Sequence, residues 1–313
     1  MSITILSLLL GIGGMFGWGI YDFLGGVFSK QIGSFKSLFW SQTAGLVSIL
    51  LLAFIVKPET AFPISAIILS PIAAIVYSAG YLFFFKGFEK GNVSIVAATM
   101  NLWAVFTMLF AFVFMGQRLT TTQTMGVFMI IFGATLASID WGGIGVMPMI
   151  ENYASRLKKK NAILTHDGYN QKLQLSAGVR EAILGAFFFG IFWNISEIIS
   201  EEIGWLSTTL LVKFGIAIFL LIFSVAVKQK VGLVNSTVKM KGMILLMGLI
   251  EVSAVALVNY GLTIGDAILI TPIASALSIV TISLAVFFLK DKISKLQGFG
   301  IIMAIIGIIA TAF

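Results

Sequence analysis

Three ionisable side chains, Asp22, Lys213 and Glu251, lie within long apolar stretches of this sequence. A charged group is costly to bury in such a stretch, so ionisable residues found there usually have a role in binding or proton transfer. Two carboxylates and one amine restrict the expected chemistry to binding ions and moving protons. Asp22 and Glu251 are therefore the candidates for proton coupling.

Asp22 shares a predicted helix face with two aromatic residues. Trp18, Tyr21 and Asp22 stand at positions i, i+3 and i+4, which places them on one side of a helix. One interpretation is a carboxylate that binds a cation or a proton beside an aromatic wall. The alternative is a carboxylate near the membrane interface that reaches water or a lysine such as Lys30. The sequence leaves both open.

Glu251 lies near the middle of one apolar stretch, and Lys213 lies inside the preceding one. Antiparallel neighbouring helices would bring the two side chains to a similar depth. In one interpretation they form a structural ion pair that neutralises both charges. In the other, a substrate carboxylate or a proton exchanges with one partner, and Glu251 is the better candidate for contact with a cavity.

The composition indicates a membrane protein. Of 313 residues, 59% are hydrophobic and 11% are charged, and the mean hydropathy is +1.06, whereas soluble domains carry about 25% charged residues. A helix needs about 20 mostly apolar residues to span a bilayer. Ten stretches meet this requirement: 4–28, 36–56, 64–86, 92–115, 122–139, 179–200, 205–227, 242–263, 267–289 and 296–313. We therefore expect an all-α membrane protein with ten transmembrane helices.

The same composition argues against several classes of function. Cysteine is absent, the single histidine, His166, lies in a polar linker, and no Walker-type nucleotide loop is present. The net charge of +7 comes from loop residues and not from an exposed basic face. We expect no cofactor, no metal site, no nucleic-acid partner and no enzymatic activity.

The chain contains an internal duplication. Residues 92–139 and 266–313 share one layout, and a shift of about 174 positions pairs Thr107 with Thr281, Gln123 with Gln297, Gly126 with Gly300 and Gly133 with Gly307. A weaker match pairs Gly33 with Gly204 at a shift of about 171 positions. The expected domains are a five-helix repeat at 1–140, a basic linker at 141–177 and a second five-helix repeat at 178–313. Because five is odd, the second repeat is expected to be inverted in the membrane.

Basic residues are distributed unevenly between the two predicted sides. The loops after the first, third, fifth, seventh and ninth helices hold 17 of them, whereas the opposite loops hold only Lys57 and Arg118. The positive-inside rule places the first set of loops, including the 141–177 linker, in the cytoplasm, and both termini outside. The expected location is the plasma membrane, with multiple passes through the bilayer.

The polar break between the last two helices of each repeat suggests a known family. The break reads Gly-Gln-Arg at 116–118 with Gln123 and Gly126 in the first repeat, and Leu-Lys-Asp-Lys at 289–292 with Gln297 and Gly300 in the second. Flanked by helices rich in small residues, this pattern resembles the drug/metabolite transporter superfamily. More narrowly, it is similar to the ten-span carriers built of two EamA-type halves.

Two features depart from that family. Members usually have Glu before the base in this break, where this chain has Gln117 and Asp291, so no proton-carrying role is transferred to the break. Ten-span members are also generally pictured with both termini in the cytoplasm, opposite to the orientation that the loop charges predict here.

The resemblance implies a central cavity between the halves, lined by the first, third, fourth, sixth, eighth and ninth helices. Polar and aromatic residues on these helices are the predicted substrate-binding set: Trp18, Tyr21, Asp22, Tyr77, Tyr81, Asn101, Trp193, Asn194, Glu251 and Asn259. Taken singly, an aromatic or amide residue in this set is more typical of helix packing or the membrane interface. Glu197, Glu201 and Glu202, around the end of the sixth stretch, are expected to face water.

These features predict a secondary transporter for a small organic metabolite or drug-like solute. It would work by alternating access of two inverted halves and be driven by protons or by exchange. The alternative is a passive channel or facilitator, although the sequence shows no filter-like ring of carbonyl or acidic residues. A monomer is expected, because the two halves already form a pseudo-symmetric pair, and a dimer is the alternative.

Overall fold

The computed structural model describes residues 3–58, 61–91, 96, 99–138, 178–233, 237–289 and 295–311. The linker expected at 141–177 lies outside these residues. The helices are α1 (Ile3–Ile32), α2 (Ser34–Val56), α3 (Ile64–Lys90), α4 (Leu102–Phe114), α5 (Thr121–Ser138), α6 (Val179–Ala226), α7 (Val238–Ile264), α8 (Ala267–Ser275), α9 (Leu277–Leu289) and α10 (Lys295–Ala310). The described part of the chain is therefore all-α.

Five of these helices, α1, α2, α3, α6 and α7, are long and apolar enough to cross a membrane. The other helices, α4, α5, α8, α9 and α10, are shorter, with 9 to 18 residues. Large apolar side chains cover much of the outer surface, and Phe54, for example, is 81% exposed. A surface of this kind is typical of contact with lipid and not with water.

Glycine joins the first two helices of each repeat without a loop. Gly33, with φ 91°, separates α1 from α2, and Gly204, with φ 74°, makes a kink inside α6. Both glycines adopt a backbone conformation that L side chains rarely tolerate. The two helices predicted at 179–200 and 205–227 are therefore both present, and they meet at the Gly204 kink within the range given as α6.

The fourth helix of each repeat is interrupted. The stretch predicted at 267–289 is two helices, α8 and α9, which meet at Ala276, where the Ala276 N–H donates to Ile273 O at 3.1 Å in a tighter turn. Pro272 lies in the last turns of α8 and has no N–H to donate. Within two residues of the matching position in the first repeat, the Ala104 N–H donates to Asn101 O at 3.3 Å. The expectation of one continuous helix was wrong for 267–289.

Helices α5 and α10, which are equivalent in the duplication, cross in close contact at glycine residues. A Cβ atom added to Gly126 would lie 2.8 Å from Gly307 O, and one added to Gly133 would lie 2.5 Å from Gly300 O. The partners follow one another in reverse order along the two helices, so α5 and α10 run antiparallel. Because the duplication exchanges these two contacts, the crossing is two-fold symmetric.

The core forms mainly between the repeats. Helix α3 packs along α6, where a Cβ added to Gly185 would lie 2.9 Å from Gly80 O and one added to Gly178 would lie 2.6 Å from Gly87 O. Helix α1 packs along α7 in the equivalent way. Small residues let these backbones approach closely, as is usual for helices that pack in a bilayer.

The Gly133→Ala variant tests this crossing. Alanine normally stabilises a helix by about 1 kcal/mol relative to glycine, but here its Cβ would overlap backbone atoms of α10, and overpacking costs about 1–3 kcal/mol. We expect a lower unfolding temperature in detergent. The matched control is Gly242→Ala in α7, where an added Cβ meets no atom within 4 Å. Equal stability of the Gly133 variant and the parent protein would contradict the close crossing.

Candidate functional site

A small cavity, with a volume of about 30 Å³, lies between the two repeats. Helices α1, α3 and α4 line it from the first repeat, and α6 and α9 line it from the second. Its lining residues are all buried and are Trp18, Asp22, Tyr77, Tyr81, Phe84, Met100, Asn101, Trp103, Phe189, Trp193 and Leu277. The cavity therefore lies deep in the helix bundle.

Six of the ten predicted substrate-binding residues lie on this cavity. These are Trp18, Asp22, Tyr77, Tyr81, Asn101 and Trp193. The other four, Tyr21, Asn194, Glu251 and Asn259, do not line it. The structure thus gathers residues that are up to 175 positions apart in the sequence onto one surface.

Aromatic rings form most of the cavity wall and hold each other in place. The Trp18 ring contacts the Trp193 ring edge-on at 5.1 Å between centroids, and the Trp103 ring at 6.3 Å. On the opposite part of the wall, Tyr81 lies 4.9 Å from Tyr77 and 4.7 Å from Phe189. Edge-to-face contacts of this kind restrict ring rotation and add to the energy of burial. The wall is therefore preformed.

Asp22 is the ionisable carboxylic acid of the cavity. Its side chain is 3% exposed, and its Oδ1 atom has no hydrogen-bond partner among the described residues. The ion pairs found in the described part of the chain do not include it. Asp22 thus lies inside the bundle and not at a wet interface beside Lys30.

Lys213 and Glu251 form the ion pair that their positions in the sequence suggested. The lysine Nζ lies 2.5 Å from both carboxylate oxygens, and the two residues are 1% and 0% exposed. Lys213 also donates to Gln42 Oε1 at 2.7 Å, and the Tyr77 hydroxyl donates to Glu251. A buried pair is tolerated when further hydrogen bonds satisfy both ions in this way.

Tyr21 extends this polar network away from the cavity. Gln42 Nε2 donates to the Tyr21 hydroxyl at 3.2 Å, and that hydroxyl lies 3.0 Å from Ser41 Oγ. The network joins α1, α2, α3, α6 and α7. Tyr77 is its contact with the cavity, because its ring lines the wall while its hydroxyl binds Glu251.

Asn194 and Asn259 connect helices. Asn194 Nδ2 donates to Thr107 O at 3.1 Å, which links α6 to α4. Asn259 Oδ1 accepts from Ser196 Oγ at 2.8 Å, and its Nδ2 donates to Thr209 Oγ1 at 2.9 Å, which links α7 to α6. Hydrogen bonds of this kind are the usual role of amide side chains between membrane helices.

The predicted substrate-binding set does not contain the remaining aromatic lining residues, Phe84, Trp103 and Phe189. A signal was available for two of them. Phe84 stands three residues after Tyr81 and Phe189 stands four residues before Trp193, so each shares a helix face with a selected residue. Trp103 stands two residues after Asn101, a spacing that does not put two side chains on one helix face, and both line the cavity beside the helix interruption.

The expectation that Glu197 faces water was wrong. It is 0% exposed, and its Oε1 accepts from Gln117 Nε2 at 2.7 Å and from the Ala267 N–H at 2.9 Å. Gln117 Oε1 in turn accepts from the Ile268 N–H at 3.1 Å. The first N–H groups of α8 need such acceptors, which explains the burial. Glu201 and Glu202 are exposed, as expected.

Over the residues that the structure describes, no three His, Asp or Glu side chains are grouped so that they could hold an ion. The chemistry available at the cavity is therefore that of one carboxylic acid, aromatic rings and a few hydrogen-bonding groups.

Comparison with known proteins agrees with this architecture. The EamA-like transporter family matches the chain twice, over residues 5–139 and 177–313. A solved crystal structure, 13% identical, aligns over 97% of this chain and 94% of its own chain with a TM-score of 0.68, which shows a shared fold alone. No curated protein matches the sequence.

The two family matches coincide with the two copies of the internal duplication and together cover most of the sequence. The predicted resemblance to the drug/metabolite transporter superfamily is thereby confirmed, and the family is one of membrane transporters and not of enzymes. The chain belongs to the EamA-like transporter family, with two EamA repeats in one polypeptide.

Proposed function

We propose that this protein is a secondary transporter that carries a small organic solute through the central cavity by alternating access. Family membership supports the transport of small solutes. The observation that carries the proposal is the position of the cavity, which lies between two repeats and takes its lining from both. Small movements of one repeat against the other would open such a cavity to one side at a time.

The proposed membrane arrangement is ten spans in two inverted repeats of five. The antiparallel crossing of α5 and α10 supports it, because these helices are equivalent in the duplication. The loop charges support an orientation in the plasma membrane that places both termini outside and the 141–177 linker in the cytoplasm.

Two contacts between the repeats are suited to closing the ends of the cavity. Glu197 binds Gln117 and the start of α8, while Glu181 binds Lys90 at 2.5 Å. Glu181 and Glu197 are sixteen positions apart in α6, or about 24 Å at 1.5 Å per residue. In the proposed cycle one of these contacts opens while the other stays closed.

Asp22 is the proposed site at which solute transport is coupled to proton movement, and Glu251 is the second candidate. Asp22 lines the cavity and has a carboxylate oxygen without a partner, so a proton or a substrate can occupy it in turn. Both oxygens of Glu251 are already bound by Lys213. We therefore propose that the Lys213–Glu251 pair supports the fold and that Asp22 takes part in the cycle.

Counterflow in proteoliposomes preloaded with a metabolite pool tests the function, with mass spectrometry as the readout. A transient accumulation of one labelled solute above equilibrium is the expected result for a carrier. Asp22→Asn should abolish this accumulation, whereas Glu201→Gln, which changes an exposed carboxylate on the same membrane segment as Glu197, should preserve it. Equilibration without overshoot would favour the passive facilitator, and no protein-dependent movement would overturn the transport proposal.

The ion pair can be tested by single and double substitution. Glu251→Gln leaves the Lys213 ammonium buried without its counter-ion and should cost about 3–5 kcal/mol of stability. Lys213→Met combined with Glu251→Gln removes both charges and should recover most of the loss in unfolding temperature. A double variant that folds but loses the pH dependence of transport would instead assign Glu251 to proton coupling.

Single cysteines can test the orientation, because the natural chain has none. Lys57→Cys lies in a loop proposed to be outside, and Lys160→Cys lies in the linker proposed to be cytoplasmic. In intact cells a membrane-impermeant maleimide should label only position 57, and permeabilisation should expose position 160. The reverse labelling pattern would show that the usual family orientation applies here.

A further inference from the structure

We propose that the solute is a singly charged organic cation with an aromatic or apolar body, and that Asp22 supplies its counter-charge. This inference rests on the proposed function, because it names the solute class for the same cavity. Three properties of the lining carry it: its unpaired carboxylic acid, its aromatic rings and the absence of a free cationic group among the described residues.

The first property is a buried carboxylic acid without an ion-pair partner among the described residues. Asp22 is the lining residue with a carboxylic acid, and the described basic residues form no ion pair with it. The nearby Lys213–Glu251 pair is neutral as a whole. A buried carboxylate needs a counter-ion or a proton, and a monovalent cation from outside would provide the first.

The second property is an aromatic enclosure. Seven of the lining residues carry aromatic rings, and three of these are tryptophans, the residue that attracts cations most strongly. The Trp18 ring makes angles of 62° with Trp193 and 81° with Trp103, so ring surfaces and edges face the cavity from several directions. Such an enclosure suits a cationic head group and an aromatic body once movement of the repeats widens the cavity to admit them.

Tyr77 already takes part in one interaction of this type. Lys213 Nζ lies 5.0 Å from the centroid of the Tyr77 ring, within the distance at which an ammonium group is attracted by a ring. The proposed interaction between a cation and aromatic rings is therefore of a type that this wall already makes. A ligand cation would use rings of the same wall.

The third property argues against zwitterions and anions. A substrate carboxylate would need a cationic partner, and the buried amine nearest to the cavity wall, Lys213, is fully engaged by both oxygens of Glu251 and by Gln42. Binding a carboxylate there would leave Glu251 without its counter-ion. An anion elsewhere in the cavity would face Asp22.

A sugar or another polyhydroxylated solute also fits poorly. Each buried hydroxyl group that lacks a hydrogen-bond partner costs free energy. The lining offers few such partners, because most of it is aromatic or aliphatic and the Tyr77 hydroxyl is bound to Glu251. Among amines, amino acids, sugars and nucleosides, the amine class matches the cavity best.

Binding to the purified full-length protein in nanodiscs tests the solute class directly. The probes are phenyltrimethylammonium and phenethylamine as quaternary and protonated cations, phenylalanine as the zwitterion and phenylacetate as the anion. Intrinsic tryptophan fluorescence reports binding, because three tryptophans line the cavity. We expect saturable quenching by the two cations and none by the zwitterion or the anion.

The Asp22→Asn variant should weaken binding of phenyltrimethylammonium by roughly thirtyfold or more, as expected when a buried charge loses its partner. Asp22→Glu keeps the charge and should retain measurable binding, while Glu201→Gln should bind as the parent protein does. Unfolding temperatures show whether each variant is folded. Equal binding by the folded Asp22→Asn and parent proteins would overturn the proposal.

The failure of this inference is distinguishable from failure of the transport proposal. Counterflow of phenylalanine, phenylacetate or a neutral metabolite without cation binding would overturn the cation class and leave a transporter. Cation binding that depends on Asp22, without counterflow of any solute, would support the class of ligand and overturn the proposed transport.

Discussion

Ionisable groups buried in an apolar helix bundle must find partners, and the structure around the cavity depends on how this requirement is met. Lys213 and Glu251 form an ion pair with each other, and Gln42 and Tyr77 add hydrogen bonds to it. Asp22 lacks such partners, because one of its carboxylate oxygens has no hydrogen-bond partner in the described residues. The satisfied pair fixes the positions of α2, α3, α6 and α7, whereas the unsatisfied carboxylate leaves a place for something that enters from outside.

The helices that hold these groups are positioned by contacts between the two repeats. The symmetric glycine crossing of α5 and α10, and the close approach of α3 to α6, place equivalent helices in antiparallel pairs. The interruptions at Asn101 and Ala276 then affect the same helix of each repeat. The cavity lies where these pairs meet, so its shape follows from the packing of one repeat against the other.

The inter-repeat contacts at the two ends of the part of α6 that precedes the Gly204 kink differ in chemistry. Near one end, the buried Glu197 carboxylate and the Gln117 amide bind the first N–H groups of α8. At the other end, Lys90 and Glu181 form an ion pair that is partly open to the surroundings. The buried contact satisfies backbone groups of a helix terminus, so opening it requires those N–H groups to find other acceptors. The exposed ion pair carries a smaller cost.

The sequence by itself determined the properties that depend on local composition or on comparison of the chain with itself. Hydropathy indicated an all-α membrane protein, the duplication indicated two related halves, and the polar breaks indicated the family. Most of the cavity residues were also found, because Trp18, Asp22, Tyr77 and Tyr81 are polar or aromatic residues in apolar helices. Only the tertiary structure decided that Asn194 and Asn259 connect helices, that Glu251 lies behind Tyr77 and that Glu197 is buried. The reason is that these roles depend on helix rotation and on neighbours far away in the chain, which local sequence patterns do not specify.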